Sequence, residues 1–220
     1  MGRHRWLLFL LMLALTIGLA CAILSLPDHM EGLQKVVANK MEVSGVSHPV
    51  TAVLLNFRGY DTLLEMVVLL LALLGVWSLG GPPPRAEIAP GPVLDCLARL
   101  LAPVFILVSA YLLWVGAHAP GGAFQAGSVL GAAGVLLLLA GWRLRFSLAQ
   151  LPLRLVLIAG SAAFVAMAAL TLFGAGRLLE YPPAQAGILI LILETVATVS
   201  IGVTLAALFL GAPPEQKEKQ

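Results

Sequence analysis

Six long apolar runs punctuate the chain, separated by polar or proline-rich stretches. Residues 6–26 form an uncharged run of 21, residues 100–117 one of 18, residues 121–141 one of 21 and residues 155–176 one of 22. Residues 61–79 carry charges only at Asp61 and Glu65, and residues 184–210 only at Glu194. A helix rises about 1.5 Å per residue and a bilayer core is about 30 Å thick, so about 20 apolar residues cross it. Runs this long do not alternate as barrel strands do, and a helix satisfies its own backbone in lipid. The pattern predicts an all-α, polytopic membrane protein with six transmembrane helices, two before a proline-rich seam and four after it.

The first run has a second reading. Arg3, His4 and Arg5 precede it and Ala20-Cys21-Ala22 lies near its end, as in a secretion signal or a lipid-modified cysteine. The apolar stretch continues to Leu26, which favours a retained helix. Orientation follows from the basic residues. One side collects Arg3, Arg5, Arg85, Arg99, Arg143, Arg145, Arg154, Lys217 and Lys219; the other has Lys35, Lys40, Arg58 and Arg177. Nine against four places both termini in the cytoplasm and the loop of residues 27–60 outside. Within that loop, residues 48–57 are apolar enough to lie on the membrane or enter it as a short re-entrant helix.

The seam is Gly80-Gly81-Pro82-Pro83-Pro84-Arg85 followed by Ala89-Pro90-Gly91-Pro92, where dense proline and glycine stop any helix. It divides the chain into a two-helix module (1–80), a linker (81–92), a four-helix domain (93–212) and a polar tail (213–220). Composition then narrows the function. Hydrophobic residues make up 60% and charged residues 11%, against roughly 45–50% and about 25% in an average soluble domain. A soluble enzyme, a nucleic-acid binder and a disordered chain are excluded. Cys21 and Cys96 are too far apart for a local metal motif and too few for a disulfide framework. No phosphate loop, metal-ligand cluster or nucleophile with an adjacent base is present, so no catalytic, cofactor or metal residue is expected.

The informative residues are acids inside apolar runs, because such a group in hydrocarbon costs several kcal/mol unless paired, hydrated or protonated. Glu194 lies ten positions into the last run, roughly 15 Å from its outer end. Helical spacing puts Gly187, Glu194, Thr198 and Gly202 on one face, which points to protein or water rather than lipid. Two roles are open: a carboxyl hydrogen-bonded between helices, or one lining a hydrated cavity. Asp61 and Glu65 share a helix face, with Arg58 one turn before Asp61. This trio reads either as an ion or proton entry or as an N-terminal cap favoured by the helix dipole. His118 opens a short hairpin, His118-Ala119-Pro120-Gly121-Gly122, that leads to a Gly127/Gly131 packing stripe. The hairpin reads as architectural and His118 as a capping or interfacial group, kept among the ion-path candidates.

Residues 51–65, Thr-Ala-Val-Leu-Leu-Asn-Phe-Arg-Gly-Tyr-Asp-Thr-Leu-Leu-Glu, resemble a signature of Mrp-type cation/proton antiporters. The match is to the two-helix module at the C-terminus of their large A subunit, a separate small subunit in membrane-bound hydrogenases. Leu64 stands where that family usually has glycine. The second half resembles the four-helix B subunit of the same complexes. There the Pro-Gly hairpin from His118 to Gly127 matches, with Ala123 replacing a third glycine, and residues 188–202 resemble the last helix. The resemblance implies a membrane subunit of a multisubunit Na+/H+ antiporter or a hydrogenase- or complex I-like oxidoreductase. It also implies other membrane subunits, the lipid bilayer and Na+ or H+ as partners, and no cofactor. The chain has no intramembrane lysine, so neighbours must complete any ion path. A purely structural scaffold is the competing reading.

Overall fold

The computed structural model describes residues 3–26, 32–79, 91–142, 151–175 and 178–211. Most of the proline seam, the polar tail, Arg143, Arg145 and Arg177 lie outside these residues. The chain forms two compact units, Met1–Val36 and Val37–Gln220. The first contains α1 (Arg3–Leu24), apolar on every face, as a lipid-surrounded helix is.

The second unit holds most of α2 (Gln34–Ser44), then α3 (Pro49–Thr51), which runs into a π-helical segment, Ala52–Phe57. Within residues 48–57 the chain is helical from Pro49 to Phe57, with His48 extended just before the first turn. The backbone breaks at Arg58, and α4 (Gly59–Ser78) begins at the next residue. Four helices follow: α5 (Pro92–Val115), α6 (Ala123–Leu139), α7 (Leu151–Ala175) and α8 (Ala186–Leu210). No strand occurs among the described residues. Among the described residues, five helices, α1, α4, α5, α7 and α8, are long and apolar enough to cross a bilayer.

The sixth expected span is shorter than its apolar run. Gly121 and Gly122 belong to the preceding hairpin, and the far end is closed by a glycine-based terminator. Gly141, at φ 76°, takes the left-handed conformation. Its N–H donates to Leu138 O at 3.1 Å and that of Trp142 to Leu137 O at 3.0 Å. This paired arrangement satisfies the last carbonyls of a helix and ends it. The remaining 17 residues of α6 span about 25 Å.

α8 is the centre of the bundle, packing on α6, α7, α4 and, less extensively, α5. Its buried side includes Leu193, Glu194, Ala197, Thr198, Ile201 and Ala207. Phe164 from α7, Met66 from α4 and Leu55 from the π-helical segment join this core. In lipid, apolar surface gains little by leaving one hydrocarbon for another, so close packing and hydrogen bonds hold such bundles. Both are visible. A Cβ added at Gly127 would lie 2.7 Å from Ile201 Cγ2 and 3.1 Å from Thr198 O, so α6 and α8 touch backbone to side chain. Ser109 Oγ donates to Ala126 O at 2.8 Å, tying α5 to α6, and Ser200 Oγ donates to Leu157 O at 2.8 Å, tying α8 to α7. Bonds of this type contribute about 0.6 kcal/mol each in membrane bundles.

Candidate functional site

The sequence-derived candidates fall into three places around the first turn of α6. The first is the mouth of α4. The helix starts immediately after the break at Arg58, and Asp61 occupies its first turn. Arg58 and Asp61 form an ion pair, both partly exposed. Glu65 lies one turn further along, exposed, and forms no ion pair among the described residues. All three line one groove of about 710 Å³. Leu64, Val68 and Leu69 continue its α4 wall, and Phe124, Ser128, Ile201 and Leu205 of α6 and α8 form the other. The groove is therefore mostly apolar, with Ser128 on one wall and two acids and an arginine along the start of α4 on the other.

An exposed i,i+3 ion pair is worth about 0–1 kcal/mol. Asp61→Asn is therefore expected to lower the melting temperature of the purified complex only slightly, with the subunits still copurifying. Dissociation of the complex would show instead that Asp61 carries an inter-subunit contact.

The second place is Glu194, which is 4% exposed. Its carboxylate lies at the start of α6, against Gly122 and facing the backbone N–H of Ala123, the first residue of α6. The opening N–H groups of a helix have no partner within it and carry positive partial charge. A carboxylate from α8 thus caps α6 where no side chain of α6 does. Gly122 makes this approach possible. It sits at φ 107°, and a Cβ there would lie 2.8 Å from Glu194 Oε1. Thr198 is buried one turn below, but its Oγ1 donates to Glu194 O at 2.7 Å, so its hydroxyl is engaged with its own helix. Gly202 packs on Leu130 of α6, whereas Gly187 has no atom within 4 Å of its Cβ position and lies outside the buried face.

The third place is the outer surface of the α5–α6 hairpin. His118 is exposed, its Nδ1 2.9 Å from Ser47 Oγ, which also donates to Ala117 O at 2.8 Å. Thr51 Oγ1 donates to Gly116 O at 2.5 Å. The segment that leads into α4 is therefore fastened to the hairpin that presents Ala123 to Glu194. The loop between α7 and α8 closes the same end. Leu179 N donates to Thr171 Oγ1 at 2.8 Å, and the Leu179 side chain packs 3.1 Å from the Cβ position of Gly59. Tyr181, 2% exposed, lies beside it in the loop, and burial pushes its phenol up to about 12, so it remains protonated.

The structure thus gathers Arg58, Asp61 and Glu65 in one groove and sets Glu194 and Thr198 on the buried face of α8. The two clusters meet α6 at consecutive residues: Phe124 lines the groove and Ala123 caps against Glu194. Sequence reasoning missed Ala123, Ser47, Thr51 and Leu179. Of these only Ala123 had a signal, the glycine pair just before it, which marks a backbone that something approaches closely.

Residues 93–210, more than half of the chain, match a family model described as a domain related to the MnhB subunit of the Na+/H+ antiporter. Two solved structures are similar to the chain as a whole. One is the membrane-bound sulfane sulfur reductase (MBS), an archaeal respiratory membrane complex, at 25% identity and a TM-score of 0.70. That match covers 96% of this chain and 98% of the other. The second is the Mrp complex from Dietzia sp. DQ12-45-1b, at 26% identity and a TM-score of 0.67. It covers all of this chain and 27% of the longer one. Comparison with curated proteins gives no match.

Proposed function

The chain belongs to the family of domains related to the MnhB subunit of the Na+/H+ antiporter, and from that premise we propose that it forms one wall of a cation or proton path in a multisubunit membrane complex. It is a multi-pass membrane protein, and both structures it resembles over its whole length are multisubunit membrane complexes. The observation that carries the ion-path reading is the groove. Glu65 is exposed on a helix of membrane-spanning length, in a trough lined mostly by apolar side chains. A carboxylate facing hydrocarbon costs several kcal/mol. A neighbouring subunit or a water-filled path must therefore cover this groove, and the ion-path reading takes the second.

Residues 51–79 act in this reading as the counterpart of the A-subunit's C-terminal module. In support, the likeness to the much longer Mrp chain extends over the residues before 93 as well as those after. The complex exchanges Na+ for H+, with Glu65 at the access point and Glu194 deeper. The test is Glu65→Gln in the assembled complex, with Na+/H+ exchange followed in inverted vesicles by a pH-sensitive dye. Exchange is expected to fall at least about tenfold, the loss that corresponds to about 1.4 kcal/mol, with subunit stoichiometry unchanged. Undiminished exchange by an intact E65Q complex would return the groove to a scaffold role.

One observation favours a second reading. The sulfane sulfur reductase, an archaeal respiratory membrane complex, is matched over 96% of this chain at a TM-score of 0.70. In that reading the subunit serves a redox-driven respiratory complex. Copurification of iron–sulfur redox subunits with the tagged chain would select it over the antiporter.

A further inference from the structure

At the end of the bundle opposite the hairpin, α5 and α6 carry a cluster that the ion path does not use. Asp95 Oδ2 accepts from Arg99 Nε at 2.9 Å, and Asp95 Oδ1 accepts from Trp142 Nε1 at 3.2 Å. The Arg99 guanidinium lies over the Trp142 ring, 5.1 Å from its centroid. Both oxygens of the carboxylate are thus engaged, and the guanidinium is held in position by an ion pair and a cation–π contact. Trp142 is fixed in turn by the terminator that ends α6, through its N–H bond to Leu137 O. Arg99 nevertheless remains 62% exposed, with its two terminal nitrogens unpaired among the described residues.

Below this head lies an apolar track. Arg99, Pro103 and Ile106 are spaced i, i+4 and i+7 along α5, and all three are exposed. Leu139, one turn before Trp142 on α6, is exposed as well. The cluster sits level with the end of α6, where the apolar run stops and the sequence continues Arg143-Leu144-Arg145. The same end of the bundle carries Arg154, close to the start of α7. A pre-positioned guanidinium, a tryptophan at the edge of the hydrocarbon, Arg154 at the same end of the bundle and an apolar track beneath fit a lipid better than a free anion. A free phosphate would use the arginine and leave the track without a purpose.

We propose that Arg99 and Trp142 form a site for an anionic phospholipid. Its phosphate sits on the free nitrogens of Arg99, and an acyl chain lies along Pro103, Ile106 and Leu139. Asp95 is a positioning residue that orients the guanidinium and does not touch the lipid. The inference is independent of the ion-path reading, since none of these residues lines the groove.

The test uses the assembled complex in nanodiscs of phosphatidylcholine with or without phosphatidylglycerol. Native mass spectrometry counts the phosphatidylglycerol retained after detergent exchange, for the wild-type complex and the Arg99→Gln variant. One basic residue near an anionic surface is worth about 1 kcal/mol, so retention by R99Q is expected to be about fivefold weaker. Arg99→Lys keeps the charge but not the planar stacking and should recover some of the retention. Equal retention by wild type and R99Q overturns the proposal. So does displacement of the lipid by inorganic phosphate, which would identify a free-anion site. A second measurement needs no variant. Phosphatidylglycerol with a photoreactive acyl chain should label the peptides containing Pro103–Ile106 and Leu139 in the wild-type complex. Labelling confined to other helices refutes the site.

Discussion

Gly122→Val is expected to abolish assembly of the complex, with the subunit lost from the solubilised, affinity-purified fraction. Two costs combine at this position. A β-branched residue at φ 107° stores about 1–3 kcal/mol of backbone strain. The added Cβ also lies 2.8 Å from Glu194 Oε1, so the carboxylate must leave the first N–H of α6. The hairpin offers no room for a compensating shift, since the Cβ position of neighbouring Gly121 is 2.5 Å from Leu112 O. Gly75→Ala provides the control. That glycine lies inside α4 with nothing within 4 Å of its Cβ position, and alanine there favours the helix by about 0.8–1.0 kcal/mol. Normal recovery of G75A beside loss of G122V would separate the geometric demand from a general intolerance of substitution. Normal recovery of both would mean that the hairpin rearranges freely, contrary to the packing described above.

The second large effect is expected at Glu194, where a pair of substitutions separates capping from ion transfer. Glu194→Ala removes the carboxylate that faces the first backbone N–H of α6 and opens a cavity beside it. Leaving a buried donor unpaired costs about 1–3 kcal/mol before any packing loss. The E194A complex is therefore expected to melt several degrees lower and to lose subunits in detergent. Glu194→Gln keeps an oxygen that can accept from Ala123 and keeps the shape, but it cannot exchange a proton. The E194Q complex is expected to assemble with near-normal thermal stability. If Glu194 carries ions, Na+/H+ exchange falls in that intact complex. If the carboxylate serves only to cap α6, exchange stays near the wild-type rate. Thermal unfolding and vesicle exchange on the same preparations read the two effects separately.

The spans were legible because lipid imposes a length. Runs of 18 or more uncharged residues have few other uses, and the helices of the bundle fall within the runs or extend them by a turn or two. α6 was overestimated because hydropathy counts Gly121, Gly122, Ala140 and Gly141 as apolar without recording that hairpins and helix ends use such residues. The π-helical segment at Ala52–Phe57 was not readable. Thr51, Asn56 and Thr62 each donate a side-chain hydrogen bond to a backbone carbonyl around it, and one extra residue in a turn leaves no periodicity in the sequence. In the candidate site, the acids stood out by type because charge is rare in these runs. Their environments did not. Glu65 and Glu194 look alike in sequence, yet one faces an open groove and the other a helix terminus. The partner of Glu194 is a backbone N–H, which every residue but proline possesses, so no side chain announced it. Thr198 was placed correctly on the buried face, but the choice of its hydroxyl between Glu194's carboxylate and Glu194's carbonyl was invisible before the helices were seen together.

The central position of α8 has a consequence for biosynthesis. Ribosomes release chain at about 5–20 residues per second and domains form from the N-terminal side first. Here the element that packs on α4, α5, α6 and α7 is translated after all of them. Until it arrives, the first N–H groups of α6 have no carboxylate, the α7 carbonyl of Leu157 has no hydroxyl from Ser200, and the glycine faces of α6 lie against lipid. The nascent subunit must therefore wait in the bilayer as a loose set of helices for roughly ten seconds or more. Membrane chaperones and proteases have that interval to act on it. A truncation that removes α8 would prolong it indefinitely.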